Sequence, residues 1–273
     1  MSVKPAERPI GSVNPVLIRD FLVQSLAIAE VEIRKLIRDP TELLTRAVQP
    51  ILWLVVFGQI FSRVRGIPTG NVSYQTFMAP GILSQSVLFS AIFYGIAVIW
   101  ERDLGIVHKL LVSPAYRSAL VFGKSMAAGL RGIFQAVVIY LLAFFMNIGV
   151  AVNAGAIILV IAAVIIGSAI FSTFSLIIAC LVKTRERFMG IGQLLTMPLF
   201  FASNAIYPLE LMPNWLKVLA GFNPLTYLVD ALRGTMIAGG ESVFGLVLDF
   251  SVLWIVYLFF LVIAALLYPV LVE

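Results

Sequence analysis

From Gly132 to Val182 the chain runs for 51 residues without an Asp, Glu, Lys, Arg or His. As one helix this stretch would be roughly 75 Å long, against a bilayer hydrocarbon core of about 30 Å. It must therefore cross and return. The segment Asn147-Ile148-Gly149-Val150-Ala151-Val152-Asn153-Ala154-Gly155 holds two Asn and two Gly to turn the chain. This predicts one span over 127–147 and another over 155–181.

The same logic places four more spans, at 43–62, 77–100, 188–207 and 250–272. Each is long enough for a membrane helix. Hydrophobic residues make up 61% of the chain and charged residues 12%, with a mean hydropathy of +1.03. A soluble domain is closer to half apolar and a quarter charged. The composition excludes an ordinary soluble enzyme and a disordered chain. The apolar runs are continuous instead of alternating, which excludes a barrel of short strands. The expected fold is an all-α membrane protein with six transmembrane helices, an N-terminal amphipathic interfacial helix, a cytoplasmic helix between spans two and three, and short re-entrant outer helices between spans five and six. It divides into a cytoplasmic N-terminal segment over 1–39 and a transmembrane domain over 40–273.

A single cysteine, Cys180, and a single histidine, His108, leave no material for a disulfide framework, a Cys/His metal site or a Ser-His-Asp triad. The net charge of +5 follows topology. Fifteen Lys and Arg fall at the N-terminus, between spans two and three, and between spans four and five. Four (Arg63, Arg65, Lys217 and Arg233) fall on the other side. By the positive-inside rule both termini are expected to be cytoplasmic. The basic loops need no nucleic acid to explain them. The charged first 42 residues argue against a cleavable signal peptide.

Asn14-Pro15 reads as a cap and first-turn proline, followed by Val16–Arg38 without Gly or Pro. Leu17, Phe21, Leu26, Ala29, Ile33 and Leu36 recur at helical spacing, and Glu30 and Arg34 form an i,i+4 pair. Such a helix lies along the membrane surface, either as an anchor or also as a transmitter of movement. Asp39-Pro40 ends it, with Asp39 and Glu42 placed as a capping box for the next helix.

Residues 101–114 are too charged to insert and too apolar for a free loop. Leu104, Val107, Leu110 and Leu111 recur at helical spacing, and Pro114 stops the run. An amphipathic helix of this kind wants a groove. Gly123-Lys124-Ser125 lacks both the upstream glycine, since position 118 is Ser, and the preceding strand of a phosphate loop. No nucleotide site is expected on this chain. Between spans five and six, Pro208, Pro213 and Pro224 chop an apolar segment into short helices, one starting at the Asn223-Pro224 cap. Asp230 and Arg233 are spaced to pair. This segment serves either as a cap or as an outer gate.

Glu101-Arg102-Asp103-Leu104-Gly105 with Lys109-Leu110-Leu111-Val112-Ser113-Pro114 resembles the coupling region of type-2 ABC transporter permeases. So does Met197-Pro198-Leu199-Phe200-Phe201-Ala202-Ser203-Asn204-Ala205-Ile206-Tyr207-Pro208-Leu209, continuing through Met212-Pro213-Asn214-Trp215-Leu216 and Asn223-Pro224-Leu225-Thr226-Tyr227 to Asp230-Ala231-Leu232-Arg233. The resemblance covers about residues 20–270 and is nearest to daunorubicin-type drug permeases and nodulation-factor permeases. It implies a permease subunit in the bacterial cytoplasmic membrane that exports a hydrophobic or amphiphilic substrate. It implies two permease copies, as homodimer or paralogous heterodimer, and two copies of an ABC ATPase subunit. ATP and magnesium would bind on that subunit, and no cofactor on this chain.

The resemblance assigns ATPase coupling to Glu101, Arg102, Asp103, Leu104, Gly105, His108, Lys109, Leu111 and Pro114. The outer gate or re-entrant candidates, read from the segment itself, are Pro208, Pro213, Trp215, Asn223, Pro224, Tyr227, Asp230 and Arg233. Uncharged polar residues within the spans are the pathway candidates: Gln49, Gln85, Gln135, Thr196, Ser203 and Asn204. Each is also an ordinary helix-packing hydrogen bonder. Three other readings compete. A polysaccharide or lipid-linked glycan permease would want a wider aromatic pathway. An ATP-independent channel or secondary transporter would be expected to carry charge at mid-membrane, and no span has an acid at its centre. An intramembrane enzyme would need converging acid and base groups, which the spans lack.

Overall fold

The computed structural model describes residues 15–39, 41–62, 72–112 and 115–272. The expectations for Asn14, Pro40 and Pro114 fall outside these residues. Every regular element described is helical. Helix α1 (Pro15–Arg38) is followed by α2 (Thr41–Leu52), a π-helical turn (Trp53–Phe57) and α3 (Gly58–Ser62). Pro50 sits inside α2 and cannot donate to the ladder. The chain continues through the wider π turn, closed by the Gly58 N–H on the Trp53 carbonyl.

Long helices α4 (Tyr74–Asp103), α6 (Arg117–Phe145) and α7 (Ala154–Leu181) form the centre, with the seven-residue α5 (Ile106–Val112) between the first two. Then come α8 (Arg185–Phe201), α9 (Asn214–Phe222), α10 (Pro224–Met236) and α11 (Leu246–Leu267). The starts are chemically legible. Asp39 accepts from the Thr41 N–H at 3.2 Å, Ser73 from Thr76 at 3.2 Å, and Asn153 from Ala156 at 2.8 Å. Asn223 accepts from Leu225 at 3.0 Å. Each side chain satisfies a backbone donor that the first helical turn leaves free.

Several boundaries differ from expectation, two of them by six residues or more and for identifiable reasons. Helix α6 begins at Arg117, ten residues before the expected 127, so Lys124 lies within it as well as Arg131. Their charges are met by carboxylates from other helices, so the helix need not stay outside to keep them solvated. Helix α8 ends at Phe201 instead of 207. Asn223 Nδ2 donates to the Leu199 carbonyl at 2.6 Å and the Ala202 carbonyl at 3.0 Å, taking acceptors at the helix end. At 17 residues α8 is about 25 Å long, at the short end of the range for a membrane helix. Five helical stretches among the described residues are long and apolar enough to span: Leu43–Phe61, Tyr74–Asp103, Arg117–Phe145, Ala154–Leu181 and Leu246–Leu271.

Helix α4 is the hub. Some 78% of its most apolar window is buried, against 17% for α11 and 28% for Leu43–Phe61. One apolar core joins α4, α6, α7, α10 and α11, and a second joins the end of α4 to α5, α7 and the chain's last turn. Close approach relies on small residues. A methyl at Gly81 would collide with the Ala205 backbone, and one at Gly132 with the Ser168 hydroxyl. Gly123, once a phosphate-loop candidate, lies where α6 meets α1. A methyl there would fall 2.5 Å from the Ser25 carbonyl oxygen.

Candidate functional site

Helix α5 hangs from α4 by a sharp break. The Leu104 N–H bonds the Trp100 carbonyl, and Gly105 takes φ +71, a backbone region that side chains resist. The break turns Val107 fully inward and leaves Leu104 (67% exposed), Ile106, His108, Lys109 and Val112 (85% exposed) facing out. Leu110 and Leu111 are half-buried. This short helix therefore presents an apolar surface with two basic or titratable groups, beyond the last turn of the most buried helix.

The coupling candidates divide at this break. Glu101 is buried and faces inward, accepting from Lys35 of α1 at 2.5 Å and from Lys124 of α6 at 2.5 Å. Arg102 donates to the carbonyls of Val182 (3.3 Å) and Lys183 (2.7 Å), tying α4 to the turn before α8. Asp103 pairs with Arg185 of α8 at 2.7 Å, and the Arg185 guanidinium lies 3.4 Å above the Trp100 ring. Thus Glu101, Arg102 and Asp103 bind the α4 end to four other parts of the chain, while Leu104, His108 and Lys109 face outward.

Behind Glu101 lies a cluster missed by sequence reasoning. Glu32 of α1 is buried and lies 3.0 Å from Lys35, 3.4 Å from Lys124 and 3.9 Å from Arg131. The Tyr94 ring packs under Arg131 at 4.7 Å and Lys124 at 5.8 Å. Two acids and two bases from α1, α4 and α6 meet in one buried place, with the exposed Lys35 at its rim. Burial by itself raises the Glu32 carboxyl, but Lys124 and Lys35 outweigh it and pull it down from 4.5 to about 2. The available signal was Lys124 and Arg131 seven residues apart in an apolar helix. That spacing puts both on one face, and a buried cation needs a carboxylate.

The pathway candidates are not gathered in one place. Gln49 and Gln85 line one cavity of about 210 Å³ between α2 and α4, with Thr45, Arg46, Ser86, Ser90 and the rings of Phe89 and Phe93. Arg46 lies 5.8 Å from the Phe93 ring. The lining does not include Gln135, Thr196, Ser203 or Asn204. Thr196 bonds the Gly192 carbonyl within its own helix, and Ser203 bonds the Phe200 carbonyl at 2.7 Å. The side-chain amides of Gln135 and Asn204 are fully buried and have no partner among the described residues.

At the other end of α4 lie the outer-segment candidates. Pro208 precedes a 3₁₀ turn, Pro213 precedes α9, and Pro224 occupies the first turn of α10. Trp215 is exposed. The Tyr227 hydroxyl bonds the Gly221 carbonyl at 2.8 Å. Asp230 and Arg233 do not join as their spacing suggested. Arg233 donates to the Asn204 carbonyl at 2.8 Å, its guanidinium 4.0 Å from the Phe77 ring. Asp230 accepts from Ser242 and from the Phe244 N–H.

A bundle of long apolar helices carries a short amphipathic helix at one end of its central helix, and at the other the exposed α9 and the buried α10, the architecture of a multi-pass membrane protein. The chain belongs to the ABC-2 type transporter family, whose pattern matches residues 23–237. It is 30% identical over 200 residues to a putative transport permease, ycf38, of Cyanophora paradoxa, covering 72% of this chain and 68% of that one. It is 23% identical over 252 residues to a probable doxorubicin resistance ABC transporter permease, DrrC, of Mycobacterium tuberculosis (88% and 85% covered). It is 24% identical over 208 residues to nodulation protein J of Rhizobium leguminosarum (76% and 78% covered). The chain is thus a transport permease and a multi-pass membrane protein, not an enzyme.

Proposed function

We propose that this chain is the permease subunit of an ATP-driven exporter for a hydrophobic or amphiphilic substrate. A separate ATPase subunit binds and hydrolyses ATP with magnesium and docks on the exposed face of α5. Two permease and two ATPase copies make one transporter, with both termini of this chain in the cytoplasm of a bacterial cell. The carrying observation is that Glu101, three residues before the α5 break, is paired at once to α1 and α6. A push on α5 would therefore reach the interfacial helix and a spanning helix together, without passing through a flexible loop.

Two further observations support the reading. The exposed apolar faces of α2–α3 and α11 suit lipid or a second permease copy; Val48, Leu52 and Phe57 lie on one, and Trp254, Leu258 and Val262 on the other. The cavity at Gln49 and Gln85 combines hydrogen-bonding amides with two phenyl rings, which suits an amphiphile better than a bare ion. A drug-resistance permease among its relatives favours a drug-like or lipid-like substrate over a glycan.

The test is co-purification of the tagged chain with the ABC ATPase encoded beside it, then ATP hydrolysis and export in lipid discs and vesicles. The expected result is a stable complex whose hydrolysis is stimulated by amphiphiles and weakened by Glu101→Gln. A chain that purifies alone and transports without ATP overturns the reading.

A further inference from the structure

The strap from Gly239 to Gly245 joins α10 to α11 and is bracketed by two glycines at φ +72 and +91. One side chain fastens it. Ser242 Oγ lies 3.0 Å from Asp230 Oδ2 on α10 and 2.7 Å from Asp249 Oδ2 on α11. The same oxygen accepts the Gly245 N–H at 2.7 Å, and Asp230 Oδ2 also accepts the Phe244 N–H at 2.9 Å. Both aspartates are fully buried, and the Oδ1 atom of each has no partner among the described residues.

The hydrogens do not suffice for two carboxylates. A serine hydroxyl has one hydrogen and two lone pairs. Gly245 takes one lone pair, so the hydroxyl can donate to one aspartate and accept from one more donor. A second ionised carboxylate would press its lone pairs against the remaining lone pair of Oγ, beside a like charge and out of water, a costly arrangement. The arrangement closes if one carboxyl carries a proton. Asp230 Oδ2 already accepts the Phe244 N–H, so it stands as the acceptor. Asp249 then donates to Ser242, and Ser242 donates to Asp230.

We propose that Asp230, Ser242 and Asp249 form a single-proton binding site, and that the bound proton latches the strap to α10 and α11. Loss of the proton sets two buried carboxylates against one hydroxyl, and the strap lifts at its glycine ends. The charged and titratable groups around the site are few. Arg233 and Tyr227 lie on α10, with the Tyr227 ring 5.2 Å from that of Phe244. Glu241 lies exposed on the strap and Lys217 exposed on α9. Helix α7 contributes no charged residue, α11 none but Asp249, and α4 presents Phe77 to Arg233. The inference does not depend on what the chain transports.

The Phe244 and Gly245 amides bond within the latch, so their hydrogen exchange reads it directly. In the full chain in lipid discs, protection of these amides, corrected for intrinsic base catalysis, should be constant at low pH. Above one apparent pKa it should fall about tenfold per pH unit, the slope of a single proton. The Asp249→Asn amide supplies a donor that cannot dissociate, so that variant should show protection without the slope. Wild-type protection independent of pH, a variant that keeps the slope, or protection that follows sodium at fixed pH would each overturn the proposal. Infrared pH-difference spectra of the wild type give a readout needing no variant. A buried carboxylic-acid carbonyl band should vanish with the same apparent pKa, and its absence would refute the shared proton.

Discussion

The carboxylate of Glu101, at the end of α4, lies 2.5 Å from the ammonium of Lys124 on α6, and both side chains are buried. A surface ion pair of this kind would contribute little. A buried one is different, because removing one partner leaves the other charged and out of water. Glu101→Gln should lower the midpoint of thermal unfolding, by a loss of about 3 kcal/mol, the low end for a broken buried pair because Glu32 still faces Lys124. Combining it with Lys124→Met should recover much of that loss in a double-mutant cycle, while leaving amphiphile-stimulated ATP hydrolysis weak.

Stability should depend on acid through Glu32. Its folded pKa, about 2, lies below its ordinary 4.5. The carboxylate therefore stabilises the fold above pH 4.5, and that contribution is lost as pH falls from 4.5 toward 2. Thermal melts in detergent across that window should show the loss. Glu32→Gln should flatten this part of the profile and lower stability at neutral pH.

Two glycines give opposite expectations for the same change. A Cβ at Gly81 would strike the Ala205 backbone, which has no flexible end to give way, so Gly81→Ala should cost about 1–3 kcal/mol. Gly190 in α8 has nothing within 4 Å of where its Cβ would stand. Gly190→Ala should be neutral or stabilise by up to ~1 kcal/mol, as alanine favours helix. Paired unfolding curves of the two variants decide the point.

Exposure along α5 separates docking from folding. Leu104→Asp and Val112→Asp alter side chains that touch little of this chain. They should leave the monodisperse elution profile unchanged while reducing recovery of the ATPase subunit at least tenfold in a pull-down. Val107→Asp places a charge in the second apolar core, and should lower expression and thermal stability instead. Equal ATPase recovery in all three variants would argue against α5 as the docking face.

Much of this architecture could be read along the chain because membrane helices answer to local rules. A long uncharged run must cross, and Asn, Ser and Asp before such a run cap it. So the turn near Asn147 and the starts at Asp39 and Asn223 follow from neighbours in sequence. The failures arose where a distant residue changed the local arithmetic. Lys124 reads as lying outside a span that starts at 127 until Glu101 and Glu32 arrive to neutralise it. The stretch 202–207 reads as helix until Asn223 takes the Leu199 and Ala202 carbonyls. Asp230 and Arg233 read as a pair until Ser242 and the Asn204 carbonyl claim them separately.

The sequence by itself determined that this chain lives in a membrane and where most of its long helices run, since hydropathy acts over one or two turns. Only the tertiary structure decided which polar groups meet. Glu32, Glu101 and Lys124 are far apart in the chain, and nothing local specifies their meeting. Neither does anything local make Asp249 share a proton with Asp230. Out of water each buried charge must find a partner, and packing alone decides which one is within reach.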